Sequence, residues 1–266
     1  MRKNGYSYRE IIKILNVSQR DVIKIAKITS FSKNGKRRYY QEVTGIIKPI
    51  KKQKQFLTPA KVRIIGNLLF DGSVFKSKVY HYSIMYVNSS EELVKIFCKD
   101  LEKVYGVQAT IFEEKIKTKL YRAKYNSKLI YIDLLNYIKS YSTSNKFAEI
   151  PKEIRNGPKK LKIEFLRTFW DNEGSISKES RLRGSSNSFH VINQLNRIHE
   201  ELGFETNIYK DKHNLNINYI LSLNKNIRNL KKFYKYKLFT DSIANRGDFC
   251  GMKLCRNSHL PFHRKI

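Results

Sequence analysis

The chain has 266 residues, 53 of them Lys or Arg against 23 Asp or Glu, for a formal charge of +30. That excess points to a polyanion, with nucleic acid ahead of an acidic membrane, and 41% hydrophobic residues suffice for a core. Three cysteines argue against a disulfide scaffold and for a reducing, cytoplasmic setting. No apolar run reaches membrane-spanning length, and Met1-Arg2-Lys3 leads into polar residues rather than an apolar signal region.

Residues 1–31 form the first segment. Ser7-Tyr8-Arg9-Glu10 reads as a capping box opening a helix with Ile11, Ile12 and Leu15 on one face. Asn16 suits the turn that follows, because asparagine tolerates positive φ. Ser18-Gln19-Arg20-Asp21 then opens a second helix with Val22, Ile25 and Ala26 apolar. Two short helices across a tight turn resemble a helix-turn-helix, whose second helix puts its first residues on base edges in the major groove. Here those residues are Gln19, Arg20 and Lys24, with Gln suited to adenine and Arg to guanine. A helical hairpin that only packs on the main body is the alternative. Residues 32–57 read as a basic linker, in which Lys33, Lys36, Arg37, Arg38, Lys48, Lys51, Lys52 and Lys54 face one acid, Glu42. Such a run is solvated; between nucleic-acid modules it follows the phosphate backbone and adds affinity without sequence information.

Two stretches organise the rest: Ile64-Ile65-Gly66-Asn67-Leu68-Leu69-Phe70-Asp71-Gly72 and Leu166-Arg167-Thr168-Phe169-Trp170-Asp171-Asn172-Glu173-Gly174. Each is an apolar helical run ending in a carboxylate and a glycine. Thr58-Pro59 and Gly157-Pro158 precede them, and proline suits the first helical position. Helices are therefore expected over Pro59 to Asp71 and Pro158 to Glu173, each stopped by a glycine in a left-handed cap. A carboxylate at a helix C-terminus sits against the negative end of the macrodipole; a divalent cation offsets it, and Mg2+ is commonly held by one or two carboxylates with waters and phosphates. Gly66 and Thr168 stand at the same offset from Asp71 and Glu173, and small residues there let two helix backbones approach closely. Side by side, the helices bring the two acids together.

These residues resemble the LAGLIDADG homing endonuclease family. The first copy matches its Gly at the third position, Asp at the eighth and Gly at the ninth; it carries Asn67 where the family is usually apolar and Leu69 where an acid is common. The second copy, with Phe165-Leu166-Arg167, Phe169, Trp170-Asp171 and Glu173-Gly174, is the closer match. Pattern within the two copies agrees. After the first helix come strands at 73–76 and 80–88, a helix through Leu93, Phe97, Leu101 and Val104 stopped by Gly106, strands at 108–116 and 120–126, and a helix from Ser127 to about Ser140. After the second come strands at 175–176 and 181–184, a helix through Val191, Leu195, Ile198 and Leu202 stopped by Gly203, strands at 206–210 and 214–223, and a helix from about Asn226 to Tyr236. In the last strand Leu215, Ile217, Tyr219, Leu221 and Leu223 are expected on one face. His81, His190, His199 and His213 read as surface or strand residues.

The resemblance implies an α+β fold of two pseudo-symmetric αββαββα repeats, at 58–150 and 151–245, with antiparallel sheets lying on DNA. The sheet positions of interest are Arg122, Lys124, Arg181 and Arg183, although such faces also occur on ordinary antiparallel sheets facing water. It also implies a monomeric enzyme cutting both strands of duplex DNA with Mg2+ or Mn2+ at Asp71 and Glu173. Each repeat of the family adds a basic residue near the scissile phosphate: Lys146 matches in the first repeat, and Arg246 stands in the region of the second, where lysine is lacking. Two rivals share the fold, a DNA-binding regulator without activity and an RNA-binding intron maturase. The basic tail, 246–266, follows; Cys250, Cys255, His259 and His263 are zinc-type donors, but their spacing is too short for a finger.

Overall fold

The computed structural model describes residues 1–4, 6–20, 22, 57–76, 82–115, 119–145, 147–176, 181–213 and 216–240. The chain divides into two compact units, Met1–Lys51 and Lys52–Ile266.

In the first unit, helix α1 (Tyr8–Leu15) starts on the expected capping box. Ser7 Oγ accepts from the Glu10 amide at 3.2 Å, and the Glu10 carboxylate accepts from the Ser7 amide at 2.7 Å. Asn16 closes the helix at φ 50°. The apolar face is narrower than the spacing predicts. Ile11 is buried, but Ile14 and Leu15, in the final turn of this two-turn helix, stay exposed. Gln19 and Arg20 are exposed. The rest of the second helix, with Lys24, and the linker residues Arg37, Arg38, Lys51 and Lys52 lie outside the described residues.

The second unit runs through the same order twice. Helix α2 (Pro59–Phe70) leads to β1 (Gly72–Lys76), β2 (Tyr82–Asn88), α3 (Glu91–Tyr105), β3 (Thr110–Lys115), β4 (Lys119–Asn126) and α4 (Lys128–Leu135). A one-turn helix, α5 (Lys152–Arg155), precedes α6 (Lys159–Glu173), β5 (Gly174–Ile176), β6 (Leu182–Ser186), α7 (Phe189–Glu201), β7 (Thr206–His213), β8 (Asn216–Leu223) and α8 (Ile227–Lys235). The sheets have matching strand orders, β1-β2-β4-β3 and β5-β6-β8-β7, antiparallel throughout. Short polar caps start the helices: Thr58, Ser90, Ser127, Ser188 and Asn226 each accept a backbone amide of the first turn.

Several boundaries differ from the sequence expectation. Pro59 is the first residue of α2, but Pro158 is the N-cap of α6, at ψ 152°, one place before the helix. Helix α4 ends at Leu135 rather than near Ser140; the chain then turns back so that Tyr141 Oη–H donates to the Leu134 carbonyl at 3.0 Å. Ile217, expected inward, is 39% exposed, whereas Leu221 and Leu223 nearer the core are buried.

Helix α2 is buried nearly all round: Val62, Ile64, Ile65, Leu68 and Leu69 lose essentially all exposure, as a central helix must. Its few polar residues are paired. Lys61 forms an ion pair with Asp133 at 2.7 Å, and Arg63 bridges Asp100 on α3 and Glu164 on α6 at 2.6 and 2.8 Å. On the other side Trp170, Phe165 and Phe169 of α6 fill the second half of the core. His199 belongs there too. It is fully buried on α7, accepting from the Trp170 indole N–H through Nε2 at 3.0 Å, with Nδ1 2.7 Å from the Leu195 carbonyl. Burial lowers its pKa to about 4, so it stays neutral. The surface reading of His199 is thereby corrected: the buried indole requires an acceptor.

Candidate active site at the ends of the paired helices

Helices α2 and α6 touch where their side chains are smallest. A Cβ placed on Gly66 would come within 1.9 Å of Thr168 Oγ1, so only glycine fits at this crossing. Thr168 turns its hydroxyl back to the Phe165 carbonyl at 2.7 Å, which keeps it satisfied inside the contact. The paired small residues read from the sequence thus meet each other.

Asp71 and Glu173 follow five residues later on each helix. Asp71 is the C-cap of α2: its amide bonds to the Asn67 carbonyl at 3.1 Å, and its own carbonyl accepts from the Val87 amide at 3.1 Å. Glu173 is the last residue of α6. The glycines behind them are not left-handed caps, as had been expected. Gly174 is extended at φ −74°, and Gly72 is absent from the positive-φ positions, which among glycines are Gly106 and Gly203. Their role is steric. A Cβ on Gly72 would lie 2.6 Å from the Leu68 Cα, and one on Gly174 would lie 2.2 Å from the Trp170 carbonyl. Each glycine lets the chain pass from helix directly into strand against the helix end.

Both acids are partly buried, and burial dominates their electrostatics. Asp71 is pushed up to about 6 by desolvation, opposed by a hydrogen bond from Asn88 Nδ2 at 3.0 Å. Glu173 is pushed up to about 8, first by desolvation and then by the charge of Asp71. The two carboxylates are therefore near enough to repel. Among the described residues neither has a basic partner.

Beside Asp71 runs a polar chain that the sequence reading did not anticipate. Asn172 donates through Nδ2 to Asn67 Oδ1 at 2.9 Å and to the Thr168 carbonyl at 2.7 Å. Its Oδ1 accepts from Tyr86 Oη–H at 2.7 Å and from Asn88 Nδ2 at 3.3 Å. Asn67, polar in an apolar run, was the one signal that could have pointed to it. Asp171 faces elsewhere and accepts from the Thr240 amide at 2.8 Å, tying the segment after α8 to the end of α6.

The donor set suits a hard divalent cation. Two carboxylates stand at negative helix ends, close enough to interact and without a neutralising base among the described residues, which is what such a cation would offset. No group of three or more His, Cys, Asp or Glu able to hold a metal occurs among the described residues, so the site offers two protein carboxylates and leaves other positions to waters or phosphate. Lys146, Arg246 and the Cys/His tail lie outside the described residues. Arg122 and Lys124 lie on β4 and Arg183 on β6, each on the sheet face turned away from the helices; Arg181 is exposed just before β6.

Residues 160–237 match the family described as the LAGLIDADG-like domain. A second comparison found the homing endonuclease I-ApeI of Aeropyrum pernix, 28% identical over 116 residues, 42% of this chain; the match spans 51% of that protein, about half its length. Solved structures of I-DmoI share the fold: the complex with DNA and Mn superposes with TM-score 0.51 at 21% identity, covering 68% of this chain and 96% of that one. A variant of I-DmoI with nicked target DNA gives TM-score 0.50 at 20% identity, covering 68% and 95%. The family match begins within α6 and takes in Glu173, whereas α2 and Asp71 precede it. No helix among the described residues is long and apolar enough to cross a membrane.

Proposed function

We propose that the chain is a site-specific DNA endonuclease of the homing type, acting as a monomer and making a double-strand break with Mg2+ or Mn2+. The observation that carries the reading is the pair Asp71 and Glu173, whose charges interact at two helix ends without a basic partner among the described residues. I-ApeI, a relative named as a homing endonuclease, and the I-DmoI structure with DNA and Mn support it. Bound there, the metal would polarise the phosphate, lower the pKa of an attacking water and stabilise the leaving oxygen. Asp71 and Glu173 would hold the ion, and Asn88 orients Asp71 through its hydrogen bond of 3.0 Å. Lys146 and Arg246 are assigned to the scissile phosphates, where arginine neutralises charge but does not shuttle a proton as lysine can. Gln19, Arg20 and Lys24 read bases from a helix-turn-helix, and Arg37, Arg38, Lys51 and Lys52 follow the phosphate backbone. Arg122, Lys124, Arg181 and Arg183 contact the duplex from the sheets. Intron homing in a cytoplasmic setting is the biological context that goes with this activity.

The test is a cleavage selection on a randomised duplex library with Mg2+, followed by cutting and binding assays on the recovered site. Linear product with Mg2+ but not with EDTA is expected, and Asp71→Asn or Glu173→Gln alone should lower the rate on the order of 10³-fold. Binding in Ca2+ should survive both changes, while falling by orders of magnitude between about 50 and 200 mM salt. A duplex that is bound tightly yet left intact with Mg2+ and Mn2+ would replace the enzyme with a DNA-binding regulator.

A further inference from the structure

The two sheets differ on the faces turned away from the helices. In the first sheet Ile84, Tyr86, Tyr121 and Ala123 point into the core. Strand alternation then turns Phe75, Met85, Val87, Phe112 and Leu120 outward, with the uncharged polar residues Ser73, Ser83, Thr110 and Asn126 at other positions of that face. Two cations stand among them: Lys124 opposite Met85, and Arg122 opposite Phe112. The Arg122 guanidinium is already held at two points by Glu114, at 2.7 and 2.8 Å, so its fork is closed by an acid on the same face. In the second sheet Gly184, Leu221 and Leu223 point inward. The outward set includes Arg183, Ser185, Asn207, Tyr209 and Asn218, with Asp211 opposite Asn218, Ser222 on the same face but buried, and Ile220 apolar. Arg183 lies over the Tyr209 ring at 5.7 Å.

The major groove offers two kinds of feature to such surfaces. Base edges present donors and acceptors that Arg, Asn and Ser can pair with; thymine adds a methyl group that only apolar contact can read. We propose that the two sheets read their half-sites by different chemistry: the second by hydrogen bonds to base edges, the first by apolar contact that selects thymine methyl groups and groove shape. This rests on the DNA-binding part of the proposed function. A duplex is the occupant favoured for the apolar face because Lys124 stands on its inner strand, in a chain of charge +30. Phosphates approach such a face readily, whereas an apolar protein segment would have to bury its lysine.

The experiment is a binding selection by the full chain, in Ca2+, from a randomised duplex library, read by sequencing. One half-site should be sharply specified, with discrimination of about 5- to 150-fold at its strongest positions. The other should prefer thymine by only about fourfold per position, the worth of one buried methyl group. Arg183→Ala and Asn218→Ala should each flatten positions in the sharp half alone, and Met85→Ala with Val87→Ala positions in the thymine-preferring half alone. Melting temperatures of all variants are measured, and Ser185→Ala serves as a second, milder probe of the sharp half should Arg183→Ala unfold. Equal sharpness in both halves overturns the inference, as does an unchanged recovered sequence after removal of Met85 and Val87. Recovery of no duplex at all overturns it together with DNA binding. The expected pattern on a site that Mg2+ leaves uncut supports the inference while removing the nuclease.

Discussion

The α2–α6 contact has two flanks that occupy equivalent places in the two repeats and carry opposite chemistry. On one flank Asn67 meets Asn172 in a hydrogen bond of 2.9 Å. On the other, Phe169 and Phe70, which stand at the same offsets from the acids, meet as rings 5.4 Å apart. The surroundings follow suit. Tyr86 reaches over β2 to bond Asn172, whereas its counterpart on β6 is Gly184, where a Cβ would lie 2.4 Å from the Phe169 ring. One geometry thus accepts either a satisfied polar pair or an aromatic one. The polar pair is costly if left half made, and it continues through Asn88 to Asp71, so the two acids are not held alike.

Their titration shows the strongest consequence. With Asp71 held up near 6 and Glu173 near 8, the folded protein keeps protons that the unfolded chain has shed. Stability therefore falls as pH rises from about 4 to about 8, and levels off above. Glu173→Gln removes the larger share. Denaturant unfolding in EDTA should find variant and wild type alike near pH 4, and the variant more stable by a few kcal/mol at pH 9, at about 1.4 kcal/mol per unit of displacement. Added Mg2+ should recover the wild type at pH 9 and leave the variant nearly unmoved. Parallel stability curves would mean that the acids do not share a field.

At the crossing itself, Gly66→Ala should cost about 1–3 kcal/mol by overpacking against Thr168. Adding Thr168→Gly should return part of that, less about 1 kcal/mol for glycine in a helix. Urea midpoints decide it, and failure of the second change to help would place the strain elsewhere.

On the polar flank, Asn172→Leu removes one hydrogen bond each from Asn67, Tyr86 and Asn88, for about 1–3 kcal/mol. Asn67→Leu added to it should cost less than the sum, because an apolar pair already works on the other flank. A double-mutant cycle measures the coupling; simple additivity would show that the two asparagines act independently. The smallest change is expected from Asn88→Ala, about 1 kcal/mol or less, with the Asp71 pKa moving further upward in an NMR titration. A fall would mean that Asn88 holds the neutral acid instead.

Much of this was readable in the sequence because it rests on repetition. The two apolar runs, their acids and the Gly66/Thr168 pairing are local patterns, and the strands show their period of two. What escaped depends on tertiary neighbours. The glycines after the acids look like left-handed caps in one dimension, yet Leu68 and Trp170 crowd them in three. Asn67 looks like a defect in a helix face until Asn172 stands opposite. His199 reads as a surface residue until the Trp170 indole is seen to need its ring nitrogen. Lys146 and Arg246 stay at the level of resemblance, since both lie outside the described residues.

The Asn67–Asn172 bond joins positions 105 apart in the chain, and the Arg63–Glu164 bridge joins positions 101 apart. Most sheet and hairpin contacts are far more local. Contacts of such separation carry a loop-closure cost and are paid late in folding. During synthesis the first repeat can therefore exist with Asp71 alone at its helix end, while Glu173 has not yet been made. The site comes into being only with the second repeat in place, so a half-finished chain displays a single acid and no pair.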